Sequence, residues 1–142
     1  DPGLLEPILF SLDVLLDRQP HAAAATQLFE RVAQRRLQGL LGATTVTTIH
    51  YLAEKAVGRR RARGHLETLL GLFEVAAVDR AVLSGALELG FGDFEDAVLH
   101  EAAAQAGATG IVTRDVGGFG TSRLTVYAPE ELLTLVEAGP HG

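Results

Sequence analysis

Four aspartates stand where their side chains could do chemistry. Asp13 follows an apolar run, Asp93 and Asp96 share the first turn of a helical segment, and Asp115 lies just beyond the short apolar stretch ending at Thr113. None has an imidazole or thiol beside it. The histidines (His21, His50, His65, His100 and His141) are scattered without ligand spacing, and the chain contains no cysteine. The cluster is therefore a poor nucleophilic triad, and thiolate catalysis and zinc sites that need sulfur are excluded. Carboxylate oxygens alone suit a hard divalent cation such as Mg2+ or Mn2+, which keeps several of its waters. Such an ion can polarise a phosphoryl oxygen and activate a water. Thr113 could orient a water or a phosphate there, or simply bond the backbone. Each acid also has a plain structural reading. Asp93 and Asp96 are what capping and the helix dipole favour at a helix start. Asp115, in Arg114-Asp-Val-Gly-Gly118, can initiate a turn, and Asp13 can be a surface residue.

Other chemistries lose their supports. No G-x-G-x-x-G, no G-x-x-x-x-G-K-[ST] and no G-x-S-x-G occurs, and Lys55 is the sole lysine. An aspartyl-nucleophile phosphatase motif is likewise missing. The formal net charge of −6 gives no general attraction to nucleic acid, so binding there needs a local basic patch or bound cations. Arg59, Arg60, Arg61 and Arg63 form one such patch, and Arg35 with Arg36 a smaller one. The plain reading of both is solvated surface. No apolar run approaches the ~18 residues needed to span a bilayer. No basic segment followed by an apolar core opens the sequence. The absence of cysteine agrees with a reducing compartment, so a cytoplasmic location is expected.

The elements that must position these acids can be read in order. Pro7–Leu12 reads as a buried strand ending at Asp13. Asp17-Arg-Gln-Pro20 looks like a helix entry, and the helix would run through Ala25, Leu28, Phe29, Val32 and Leu37 to a stop at Gly39. Thr44 or Thr45 can cap a second helix closed by Gly58, and Arg59–Leu72 makes a third. Glu74–Val78 is a second strand, after which Asp79 caps a helix stopping at Gly90. Phe94–Ala106 is a helix ended by Gly107, and Ile111–Thr113 is the third strand. After a Gly-rich loop, Leu124–Tyr127 gives the fourth strand, and Pro129-Glu130-Glu131 opens the last helix. Residues 1–138 read as a single domain and 139–142 as a tail. Short apolar strands alternating with helices predict an α/β fold, a mainly parallel sheet covered on both faces. Ligands of such sheets bind beyond the carboxyl ends of the strands, which is where Asp13 and Asp115 fall.

The residues carry a family resemblance over nearly the whole chain. Asp93-Phe-Glu-Asp-Ala-Val98, Ala102-Ala-Ala with Gly107-Ala, Ile111-Val-Thr-Arg-Asp115, Phe119 and Pro129-Glu-Glu-Leu132 resemble the C-terminal half of PIN domains, VapC-like toxins in particular. Leu15-Leu-Asp-Arg-Gln-Pro-His21 and Ala43-Thr-Thr-Val-Thr-Thr-Ile-His-Tyr-Leu52 are similar to that family's first helical regions. The resemblance implies a three-layer α/β/α fold with a four- to five-stranded sheet. It implies a ribonuclease dependent on Mg2+ or Mn2+, a homodimer, and an antitoxin-like protein as partner. The metal ligands would be Asp96, Asp93 and Asp115, with Asp13 a further catalytic acid. Arg114, Arg59, Arg60 and Arg61 would hold RNA phosphates.

The sequence also departs from the family pattern. The first strand of the family normally ends in Asp-Thr-Asn, whereas here Ile8-Leu-Phe-Ser-Leu-Asp13 passes directly to Val14-Leu-Leu-Asp17. Either Asp13 supplies the first acid after a shortened connection, or the acid-bearing segment is missing and Asp13 belongs to the following helix. The match of Leu12–Arg18 to the stretch after the motif favours the second. Thr48 stands where glutamate is frequent, and Gly118 stands where an aspartate usually precedes the phenylalanine. These losses leave a second reading open: a PIN-like protein that binds an antitoxin-like partner or RNA without cutting.

Overall fold

A strand buried on both faces has no polar side to display, which is why the central strands Pro7–Phe10 and Gly110–Val112 are wholly apolar. The computed structural model describes residues 6–16, 22–120 and 122–138. In chain order it contains β1 (Pro7–Phe10), α1 (Leu12–Leu15), α2 (Ala22–Ala33), β2 (Gln38–Gly42), α3 (Ala43–Val57) and α4 (Arg59–Leu72). Then come β3 (Glu74–Ala76), α5 (Arg80–Glu88), α6 (Phe94–Gln105), β4 (Gly110–Val112), a 3-10 turn (Val116–Phe119), β5 (Thr125–Tyr127) and α7 (Pro129–Glu137). The five strands are parallel, in the order β3-β2-β1-β4-β5. The expected three-layer α/β/α architecture is the one observed.

Alternation along β1 divides the core between the two faces of the sheet. Leu9 joins Ala97, Ala102 and Ala103 of α6 and Val82 and Ala86 of α5. Ile8 and Phe10 join Leu28 and Val32 of α2, Phe73 and, from α7, Leu132. Phe10 meets Phe73 edge-on with ring centroids 5.2 Å apart, a favoured geometry for aromatic pairs. The small residues of α6 let that helix lie directly on the sheet and fix its first turn over the strand ends.

Most of the sequence-read elements are present within a residue or two. Asp79 caps α5 as expected, accepting the Val82 N–H at 3.0 Å. Two readings need correction. The helix expected to reach Gly39 stops at Ala33, and the next residues build a fifth strand, β2, that the sequence reading did not contain. The stop is made by Arg35, a non-glycine residue at φ 62°, with the Arg36 N–H returning to the Arg31 carbonyl. β2 escapes notice because it is bracketed by glycines, which are poor strand formers. Gly39 and Gly42 are used because the Phe73 ring and the Leu99 side chain lie where their β-carbons would be. The strand read as Pro7–Leu12 ends at Phe10, because Ser11 becomes the N-cap of α1. The helix entry Asp17–Pro20, His21 and the tail 139–142 lie outside the described residues. Among the described residues, no helix is long and apolar enough to cross a membrane.

The chain moves outward from β1 to β3 on one side and from β4 to β5 on the other. The order of strands therefore reverses between β1 and β4, which pair through Phe10 and Val112. A crevice opens beyond the carboxyl ends of strands at such a reversal.

Gly39 tests the packing directly. A β-carbon there would stand 2.5 Å from two Phe73 ring atoms. Gly39→Ala is expected to destabilise the protein by about 1–3 kcal/mol through overpacking. The check is a lowered midpoint of urea denaturation at unchanged slope.

Candidate active site

A cleft of about 330 Å3 sits at the strand-order reversal, and Asp13, Asp96 and Asp115 all line it, with Glu95, Thr48 and Thr113. Three of the four acids read from the sequence are thus brought together from α1, α6 and the β4 end.

Asp13 arrives by a route that joins both alternatives left by the sequence. It belongs to the following helix, α1, and it nevertheless faces the cleft. Ser11 ends the strand, caps α1 through its carbonyl, and donates its hydroxyl to Asp13 Oδ1. The Thr113 hydroxyl donates to Asp13 Oδ2 at 3.2 Å, and the Arg114 backbone N–H approaches both oxygens at 3.2 Å. Thr113 is only 1% exposed, and its Oγ1 also accepts the Asp115 N–H at 3.0 Å. Its hydroxyl is therefore already engaged in tying Asp13 to Asp115.

Asp96 is half-buried in the first turn of α6. Burial, then the charges of Asp93, Asp115, Glu95 and Asp13, push its carboxyl up to about 6. Asp93 is placed differently. Its carboxylate caps α6, accepting the Glu95 N–H at 2.8 Å and the Asp96 N–H at 3.2 Å, and it is not among the residues lining the cleft. The cap explains Asp93 on structural grounds, though its charge still reaches Asp96.

The arginines do not converge on the acids. The Arg114 guanidinium pairs with both Glu130 oxygens, at 2.9 and 2.8 Å, holding the start of α7. Arg59, Arg60 and Arg61 are exposed at the start of α4, where Arg59 faces Glu54 at 3.4 Å, and none of the three lines the cleft. Thr48 does line it, its hydroxyl donating back to the Thr44 carbonyl at 3.1 Å.

Two residues passed over in the sequence matter here. Glu95 lines the cleft beside Asp96. His100, one helical turn beyond Asp96, is fully buried, and its Nε2 accepts the Arg123 N–H at 3.2 Å while its ring meets Phe91 edge-on. Burial, with Arg123 nearby, lowers its pKa and keeps it neutral, so it pins the loop before β5 to α6. Its i, i+4 relation to Asp96 was the available signal.

The donor set fits a hard divalent cation in its chemistry: carboxylate oxygens from three segments, with no nitrogen or sulfur beside them. The raised Asp96 carboxyl reflects burial first and the neighbouring carboxylates second. Among the described residues, no three acidic or imidazole side chains already converge as a metal cage. An ion held here would therefore rely on water for part of its coordination.

The family described as PIN domain matches residues 10–117. No curated protein matches the sequence. Among solved structures, the fold is similar to that of VapBC2 from Rickettsia felis bound to promoter DNA (14% identity, 86% of this chain and 98% of that one, TM-score 0.66). It is similar to a toxin–antitoxin complex from Klebsiella pneumoniae (20% identity, 86% and 97%, TM-score 0.66). PAE2754 from Pyrobaculum aerophilum is a third likeness (19% identity, 95% and 97%, TM-score 0.63).

The electrostatics of Asp96 carry a stability prediction. Because its folded pKa lies above the ordinary 3.8, the folded state holds the extra proton between that value and about 6. Its contribution is fully favourable below pH 4 and is lost as pH rises through 6. Metal-free Asp96→Asn is expected to be more stable than wild type at pH 7.5, by about 1 kcal/mol after solvent screening. The difference should vanish near pH 3.5, as read by denaturation in EDTA at both pH values.

Proposed function

The chain belongs to the PIN-domain family, and from that premise we propose that it is a metal-dependent ribonuclease that hydrolyses RNA phosphodiester bonds. The observation that supports this most is the meeting of Asp13, Asp96 and Asp115 in one cleft at the strand-order reversal. Asp96 is assigned as the principal ligand of Mg2+ or Mn2+, with Asp115 and Asp13 directly or through water. Asp93 contributes charge from its capping position. A divalent cation bound there would supply a Lewis acid for the phosphoryl oxygen and a lowered pKa for water. The chain's own residues do the positioning. Thr113 and the Arg114 N–H hold the Asp13 carboxylate, and Thr113 also fixes the backbone from which Asp115 projects.

Holding the substrate falls to residues at a distance. Arg60 and Arg61, with Arg59, form an exposed basic patch to which RNA phosphates could attach, contributing affinity without base discrimination. Arg114 would serve only by exchanging Glu130 for a phosphate. An antitoxin-like protein is the proposed partner, supported by the likeness to VapBC2 and the toxin–antitoxin complex, and a homodimer is the proposed assembly. A cytoplasmic location belongs to the same reading.

A second reading rests on Thr48 and Gly118, which bring no carboxylate to positions where the family frequently has one. It makes the chain a binder without cleavage, and metal affinity separates the two. The nuclease reading expects Mn2+-dependent cleavage of a mixed RNA pool by wild type and at least about a 100-fold loss in Asp96→Asn. Equal product from both proteins would remove Asp96 from the chemistry. No heat of Mn2+ binding by calorimetry would favour the binder.

A further inference from the structure

Asp115 opens the 3-10 turn, yet its carboxylate caps none of that turn's N–H groups. It folds instead over the Cα of Gly118, three residues along. A β-carbon at Gly118 would collide with Asp115 Oδ2, and would stand 2.9 Å from Cγ and 3.3 Å from Oδ1. The carboxylate thus fills the space that any side chain at 118 would need.

The backbone gives no reason for a glycine at this position. Gly118 is not among the residues with positive φ, whereas Gly120, two residues on, has φ 50°. Gly117, its other neighbour, has nothing within 4 Å of where a β-carbon would be. Of the three glycines, only Gly118 is demanded by a neighbouring side chain, and that side chain is an acid lining the cleft.

We propose that Gly118 is a positioning residue whose bare Cα lets Asp115 lay its carboxylate into the cleft, and that a side chain at 118 expels it. Positions 115 and 118 then share the room for one carboxylate. The 3-10 turn that brings them together is closed by the Gly118 N–H donating to the Asp115 carbonyl at 3.0 Å. The inference rests on the metal-site reading above for its consequence, although its steric core stands apart from it.

The test uses the full chain as wild type, Gly118→Ala, Asp115→Ala and the double variant. Alanine strains no backbone here and the carboxylate can swing aside, so Gly118→Ala should melt within a few degrees of wild type. Metal-free crystal structures should show the Asp115 carboxylate over residue 118 in wild type and rotated away in Gly118→Ala. Calorimetric titration with Mn2+ should show Gly118→Ala weakened tenfold or more, to the level of Asp115→Ala, with no further loss in the double variant. A carboxylate in the same place in both crystal structures, or Gly118→Ala binding Mn2+ as tightly as wild type, would overturn the proposal. A wild type that binds no Mn2+ would sink the nuclease reading instead, and the metal-free structures would decide Gly118 on their own.

Discussion

The carboxylate of Asp13 joins the ends of the two central strands. It hangs from α1, immediately past β1, and accepts hydrogen bonds from the Thr113 hydroxyl and the Arg114 N–H immediately past β4. Hydrogen bonds to a charged acceptor are among the stronger ones, and here they span a sequence separation of about a hundred residues. Because Thr113 Oγ1 also receives the Asp115 N–H, one small network sets the positions of two acids at once. It adds a side-chain tie to the backbone pairing of Phe10 and Ser11 with Val112, which already sets the two strand ends side by side.

The fold treats its acids unequally, and the inequality is informative. Asp13 is compensated by the Ser11 and Thr113 hydroxyls and the Arg114 N–H, and Asp93 by two backbone N–H groups at the start of α6. Asp79, far from the cleft, is compensated by the cap it forms. Asp96 alone is half-buried amid like charges, with its carboxyl pushed up to about 6. A group in a cleft whose surroundings work against its ionised form is a candidate functional residue. His100 sits one turn away under the same pressure, its pKa lowered by burial while it accepts the Arg123 N–H. The first two turns of α6 therefore carry a carboxyl and an imidazole whose charged forms are both disfavoured by burial.

Much of this was legible from the sequence. Apolar runs such as Ile111–Val112, the Asp79 and Asp93 caps, and Pro129 at the start of α7 are local signals, and the structure honours each of them. β2 was not legible, because Gly39 reads as a helix stop until Phe73 is seen to cover it, and Leu99 covers Gly42 in the same way. The end of α2 was hidden for the same kind of reason: Arg35 takes a left-handed turn that a sequence assigns to glycine. At the site, residue types showed which acids were candidates. They could not show that Asp93 is absorbed by capping, that Arg114 turns to Glu130, or that Asp13 reaches the cleft from a helix. Those outcomes depend on contacts between segments, and periodicity carries no information about them.

Under the nuclease reading, charge bears directly on binding. The protein is acidic overall, and the cleft adds Asp13, Asp96, Asp115 and Glu95 to one surface. A phosphodiester approaching it would meet repulsion, which the low dielectric of a half-buried cleft strengthens. The arginines do little to offset this locally, because Arg114 is engaged by Glu130 and the α4 patch does not line the cleft. A divalent cation held by these acids would offset their charge and supply the phosphate with an attractive partner. With Thr48 bringing a neutral hydroxyl, Asp13, Asp96, Asp115 and Glu95 are the carboxylates among the described residues that line the cleft, and Asp93 adds charge from behind. Ligand charge count sets the affinity of such sites, so losing one of these carboxylates weakens metal and substrate binding together.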